Sequence, residues 1–493
     1  MSATPASPPL PDDAIVHTAF GPVRGTRSHT VTAFHAIPYA APPVGTLRFA
    51  APRDPERWTT PRDCTKPGPS APQNASRLDA VMGLSQFSQS EDCLNLTVWT
   101  PAADGKKRPV FVWLHGGAYM SGGGDQAFYT GGRLAARGDV VVVSLTYRLG
   151  ALGFLYVPGI DAEGGAPANR GFLDQIKALQ WVKANIAAFG GDPDAITVSG
   201  QSAGGGALMG LLVNPVSAPL IRRAILQSSP GQSLTEAQAR DVSALFFAKA
   251  GLQPGDIAGL RALEVPKMLA AQGAVMAEYA TKSGRLLPFQ LVAEQPEIPA
   301  SPSARLSDGA SPGIPLMLGW TKDEMHAWFA QDAAMVATTM LDDLARFPAA
   351  NGLPDAIRAP VGALIAKGLA PWEALGEVMT VKMFGGVAQA IADSRAAKGC
   401  ATYLYRFDWR PTRHARFGAC HCIEIPFMFD NFEDWPASPM LEGADPASIR
   451  RVTDAVQAAW IAFIRTGNPG WPARAEAPRA VMAFDDETRL IDL

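Results

Sequence analysis

The run Gly200-Gln201-Ser202-Ala203-Gly204 sets one serine between two glycines, each two residues away. A hydroxyl so placed is a candidate nucleophile if the chain bends sharply enough to expose it. The neighbours supply that bend. The run Ala195–Ser199 reads as a strand and Ala207–Val213 as a helix, which predicts a strand, a tight turn and a helix in succession. The glycines answer a steric demand. The serine takes a backbone conformation that side chains disfavour, and bulky neighbours would collide where strand and helix pinch together. A helix beginning there also points free N–H groups and a positive dipole end at any anion formed on the substrate.

A second small-residue stretch, His115-Gly116-Gly117-Ala118-Tyr119 with Ser121-Gly-Gly-Gly124 behind it, follows the apolar run Val110–Leu114. Backbone without side chains can approach a reacting carbon closely and aim N–H groups at a developing alkoxide. A nucleotide-binding loop would need Gly-x-x-x-x-Gly-Lys-Ser/Thr or a clean Gly-x-Gly-x-x-Gly, and neither pattern is present. His115 reads as a hydrogen-bonding support beneath the loop.

The elements that must hold these residues have two textures. Short continuous apolar runs, Val110–Leu114, Val140–Leu145, Ala195–Val198, Ile314–Leu318 and Thr402–Tyr405, suit strands covered on both faces. Between Phe172 and Phe189 the apolar positions recur at helical spacing, and Gly190-Gly191 then supplies a stop. Strand and helix in alternation predict a mostly parallel sheet with helices on both faces. From Glu236 to Ala397 alanine-rich helical stretches dominate, at Glu236–Leu252, Ala333–Phe347 and Pro371–Met383. They are expected as insertions over the end of the sheet that shape a substrate pocket. Residues 1–12, with four prolines, read as a disordered leader, and 13–493 as one elaborated catalytic domain.

With 493 residues, 47% of them hydrophobic, the chain can bury a large core. Its net charge of −3 and scattered basic residues give no footprint for nucleic acid. No apolar run approaches the ~18–20 residues that span a bilayer, and the leader lacks the features of a signal peptide, so a cytoplasmic protein is expected. Five cysteines are too few for a disulfide scaffold. Cys64 and Cys93 bracket one loop-like stretch and could close it, although free thiols are the default in a reducing compartment.

Matches along the whole chain resemble the type-B carboxylesterases, an α/β-hydrolase family. They include Gly21-Pro-Val-Arg-Gly25, Phe34-His-Ala-Ile-Pro-Tyr-Ala40, Leu47-Arg-Phe49, Ser90-Glu-Asp-Cys-Leu-Asn-Leu-Thr-Val-Trp-Thr-Pro101 and Asn169-Arg-Gly-Phe-Leu-Asp174. Phe189-Gly-Gly-Asp-Pro193, Ala224-Ile-Leu-Gln-Ser228, Trp460-Ile-Ala-Phe463 and Thr466-Gly-Asn-Pro469 continue the series. The resemblance implies a catalytic triad in the order Ser202, Glu324, His421, the acid falling in Gly319-Trp-Thr-Lys-Asp-Glu324 and the base in Gly418-Ala-Cys-His421-Cys-Ile-Glu424. It implies oxyanion donors at Gly117, Ala118 and Ala203, and a disulfide from Cys93 to Cys64 that sits awkwardly with a cytoplasmic home. It also implies that the small residues at 116–118 leave room for esters of tertiary alcohols.

Three departures from the family pattern bear on substrate. Gln201 stands where glutamate is usual, and the loop from Gln73 to Glu91 lacks the tryptophan on which cholinesterases stack choline, so cationic choline esters are not expected. Cys420 and Cys422 flank His421, but two thiols one residue from a histidine with no second pair match metal spacing poorly. No metal and no cofactor are therefore expected. The reading is a monomeric hydrolase of neutral, fairly apolar carboxylic esters acting through an acyl-enzyme. A carbamate, amide or lactone hydrolase, or an acyltransferase, would use the same groups. A non-catalytic adhesion module would show a degraded triad and a membrane anchor, and the sequence has neither.

Overall fold

The computed structural model describes residues 13–28, 30–283, 287–331, 353–412 and 415–493. The expected leader, 1–12, and the expected helix 333–347 lie outside the described residues.

One sheet carries the described chain. Its N-terminal wing is β1 (Asp13–His17), β2 (Pro22–Arg27), β3 (Thr32–Pro38) and the two-residue β4 (Arg62–Asp63), which pairs with β2. The centre holds β5 (Asn95–Thr100), β6 (Arg108–Leu114), β7 (Val141–Leu145), β8 (Gly191–Gln201) and β9 (Arg223–Gln227). Then come β10 (Leu316–Thr321), β11 (Thr402–Phe407), β12 (Ala480–Phe484) and β13 (Arg489–Asp492). The spatial order is β1-β2-β3-β5-β7-β6-β8-β9-β10-β11-β12-β13. From β7 to β12 every neighbouring pair is parallel. The neighbours β1-β2-β3-β5-β7, and the last pair, β12 with β13, are antiparallel, while β4 lies parallel to β2.

The continuous apolar runs are explained by burial of both faces. In β6, Val110, Val112 and Leu114 join one core cluster while Phe111 and Trp113 join a second across the sheet. The helices Arg170–Asn185 and Ala203–Val213 cover the first face, and Pro446–Thr466 covers the second. The expected stop falls at Gly190, which caps a short 3-10 turn, Ile186–Phe189, with φ 81°.

Between 236 and 397 the described chain is mostly helical, with β10 interrupting it. Glu236–Lys249 opens with a capping box at Thr235, and Pro371–Thr380 runs on into a π-turn at Val381–Gly385. Sequence reading left out the helices Val265–Ser283 and Gly386–Ala396. Among the described residues no helix is long and apolar enough to cross a membrane.

Candidate active site

Parallel strands gather their following loops at one end of the sheet, and the residues singled out by sequence lie there. β6 leads into the 115–124 loop, β8 into Ser202, β10 into Glu324, and β11 into the longer loop carrying His421.

Ser202 forms the corner between β8 and its helix at φ 55°, ψ −122°. This is a conformation that non-glycine residues rarely hold. Its own N–H is tied to Gln227 O at 2.9 Å. A methyl on Gly200 would come within 2.4 Å of Gly204 O, and one on Gly204 within 2.1 Å of Leu114 O. Both glycines are therefore fixed by backbone contacts, as the pinch argument requires.

The small-residue loop lies against this corner. A Cβ on Gly116 would lie 3.0 Å from Ser202 Cβ and 2.6 Å from Gln201 Oε1. Three successive residues have positive φ: Gly117 at 105°, Ala118 at 57° and Tyr119 at 60°. The conformation is braced from outside. Gly117 O accepts from both Met120 N and Ser121 N at 2.9 Å, and Tyr119 O accepts from Gly150 N at 2.7 Å. Among the described residues, the N–H groups of Gly117, Ala118 and Ala203 donate to no protein acceptor. Beneath the loop, the His115 ring stacks on Tyr147 at 4.4 Å, and Tyr147 donates its hydroxyl to His115 O at 2.8 Å. Burial pushes His115 down to about 4, so this imidazole is neutral and supports the loop.

Glu324 and His421 are both fully buried and hydrogen-bonded through Glu324 Oε2 and His421 Nδ1. Thr321 N donates to the other carboxylate oxygen at 2.9 Å, which fixes the direction of Glu324. The adjacent acid does something different: Asp323 Oδ2 accepts from Ala419 N at 2.9 Å and so clamps the loop that carries His421. Burial opposes charge on His421, while Cys422 and Glu324 favour it, and the net result holds the imidazole well above its ordinary value. Cys422 is itself pushed up by burial, so at neutral pH it is a thiol. Glu424 is nine-tenths or more buried beside this pair and is raised to about 7, first by burial and then by Glu324.

The structure brings Ser202 and His421 to the same site but does not join them. No hydrogen bond links Ser202 Oγ to the ring. His421 Nε2 instead faces Gln201 Nε2 at 3.1 Å, and the same amide nitrogen reaches Cys422 Sγ at 3.3 Å. Sequence reading marked Gln201 and Cys422 as departures but gave no sign that they touch. Two rings from the helical region were missed altogether: Trp328 and Phe384 flank His421 at 5.0 and 5.2 Å.

The expected Cys64–Cys93 link is not formed. Both residues are buried free thiols. Burial raises Cys64 to about 12 and pushes Cys93 up as well. Cys420 points to Met440 Sδ at 4.0 Å, and no group of three potential metal ligands occurs among the described residues.

Residues 12–489 match the carboxylesterase family. The para-nitrobenzyl esterase of Bacillus subtilis is 36% identical over 480 residues, covering 96% of this chain and 95% of that one. The phenmedipham hydrolase of Pseudarthrobacter oxydans is 36% identical over 490 residues, again with 96% and 95% covered. A solved thermophilic para-nitrobenzyl esterase superposes with a TM-score of 0.84 at 34% identity, covering 97% of each chain. Likeness this high over nearly the full length fixes fold and reaction together: the chain is an α/β-hydrolase that belongs to the carboxylesterase family and hydrolyses carboxylic esters.

Proposed function

We propose that Ser202 is the nucleophile, His421 the general base, and Glu324 the acid that orients it. The observation that carries this reading is the convergence of a strained, glycine-pinched serine and a buried Glu324–His421 pair at one end of the parallel strands. Ser202 Oγ attacks the ester carbonyl carbon while its proton passes to His421 Nε2. The negative charge on the carbonyl oxygen is met by the unpaired N–H groups of Gly117, Ala118 and Ala203. The C–O bond to the alcohol then breaks as His421 returns the proton to the departing oxygen. Water, deprotonated by the same nitrogen, releases the acid and regenerates Ser202. Glu324 holds the Nδ1–H tautomer and stabilises the transient imidazolium.

The substrate is read as a neutral, fairly apolar ester. Gln201 puts an uncharged amide beside the nucleophile, and Trp328 and Phe384 line the base with aromatic surface. We read 13–493 as one catalytic domain whose helical segments shape this pocket. Turnover of para-nitrophenyl acetate, butyrate and octanoate, set beside matching anilides, tests the class. Esters are expected to exceed anilides, and the reverse order would replace ester by amide hydrolysis. The small residues at 116–118 favour slow hydrolysis of tert-butyl acetate, abolished in Ser202→Ala. Turnover of n-butyl acetate with none of the tertiary ester would remove that part.

A further inference from the structure

The Gln201 amide occupies the position at His421 Nε2 that Ser202 must use, and the hydrogen-bond inventory fixes its role. Glu324 takes the Nδ1–H of His421, so in the neutral ring Nε2 carries a lone pair and no proton. The group 3.1 Å away must therefore donate, and Gln201 Nε2 has two hydrogens to give. One goes to His421 Nε2 and the other to Cys422 Sγ at 3.3 Å, which uses the amide completely. Gln201 is 1% exposed and Cys422 3% exposed, so solvent does not compete strongly for either hydrogen. Cys422 holds φ 76°, a left-handed conformation costly for a side chain. A glycine there would relieve that cost but remove the acceptor.

We propose that Gln201 is a positioning residue for the base: anchored on Cys422 Sγ, it donates to the His421 Nε2 lone pair in the resting enzyme and must yield it to Ser202 in each turnover. The inference rests on His421 being the base. Its consequence is a biased titration. A donor to the neutral ring favours that form, whereas an acceptor at the same place would favour the imidazolium. The groups facing His421 include Glu324 from the loop after β10 and Cys420, Cys422 and Glu424 from its own loop. Tyr129 and Tyr405 approach the same cluster from other elements. Gln201 is uncharged, so exchanging it tests the hydrogen bond against a background of fixed charges.

The experiment compares the pH dependence of kcat and kcat/KM for para-nitrophenyl butyrate in wild type, Gln201→Glu, Gln201→Met and Cys422→Gly, with active sites counted by organophosphate titration. Gln201→Glu cannot donate to the lone pair and accepts from the imidazolium, so its acid limb moves upward by about one pH unit or more. Gln201→Met, nearly isosteric but without a donor, moves the limb upward by less. Cys422→Gly frees the amide and also removes the thiol's own contact with His421, so its limb moves in the same direction as that of Gln201→Met. One shared acid limb in all four proteins would overturn the proposal. So would a Gln201→Met plateau that collapses while its limb stays in place, since that marks a merely structural residue. Failure of the catalytic reading is distinguishable, because His421→Ala would then retain turnover.

Discussion

Ser202 is placed by backbone: a φ of 55°, an N–H tied to Gln227 O, and two glycines that admit no Cβ. His421 is placed by side chains: Glu324 on Nδ1, Gln201 on Nε2, Trp328 and Phe384 against the ring, and Glu424 buried nearby. The first construction is steric and carries no titrating group of its own. The second stores charge in a dry interior, where each carboxyl alters the others. Substitutions on the serine side should therefore act on rate at every pH. Those on the histidine side should also act on pH dependence and on stability.

The largest effect separates the two adjacent acids. Glu324→Gln is expected to lower kcat by ~10³–10⁴, as with other orienting acids. Asp323→Asn, which loosens only the clamp on Ala419, is expected to cost less than about tenfold. The reverse ordering in steady-state kinetics would assign the histidine to the wrong acid. Next comes the donor loop. Ala118→Pro removes one N–H and also cannot hold the φ of 57°, so it should cost at least ~10²–10³ in kcat at all pH values, while Ala118→Gly should be mild. Equal effects would mean that Ala118 N–H takes no part.

The pH predictions act on the histidine side alone. In the proposed mechanism only neutral His421 activates Ser202, and this imidazole is held above its ordinary value of 6.5. Activity should thus fall with acidification through a midpoint above 6.5, and a midpoint below it would contradict the buried pairing. The smallest effect concerns Glu424. Its folded value of about 7 exceeds its unfolded value near 4.5. Between these the folded chain keeps a proton that the unfolded chain has released. The associated stability is fully present below 4.5 and is lost as pH rises through 7. The whole loss is at most about 3 kcal/mol. Glu424→Gln should flatten this slope in urea unfolding at acid and alkaline pH, and an unchanged slope would remove Glu424 from the cluster.

Legibility in the sequence followed the same division. The Ser202 corner and the 115–124 loop were readable because a steric demand restricts residue type locally, so glycine spacing reports geometry. The strands were readable because burial on both faces leaves runs such as Val110–Leu114 with no polar alternation. The pairing of His421 with Glu324 was expected through resemblance, since a histidine 97 residues from its glutamate leaves no local pattern. Gln201 and Cys422 meet across 221 residues, and Trp328 and Phe384 reach the ring from separate helical segments. Such contacts depend on which strands are neighbours, which composition does not encode. The antiparallel wing escaped for a related reason, because short strands such as Pro22–Arg27 lack the apolar continuity of the centre. The Cys64–Cys93 expectation drew on the loop that the two residues bracket and on resemblance, and the structure shows two buried thiols instead.

The most direct test of Ser202 as nucleophile is covalent. The protein is inactivated with an organophosphate or phenylmethylsulfonyl fluoride, digested with trypsin, and mapped by mass spectrometry alongside Ser202→Ala. One adduct per chain on the Ser202 peptide is expected, with kcat reduced by ~10⁴–10⁶ in the variant. An adduct on another serine, or turnover retained in Ser202→Ala, would contradict it.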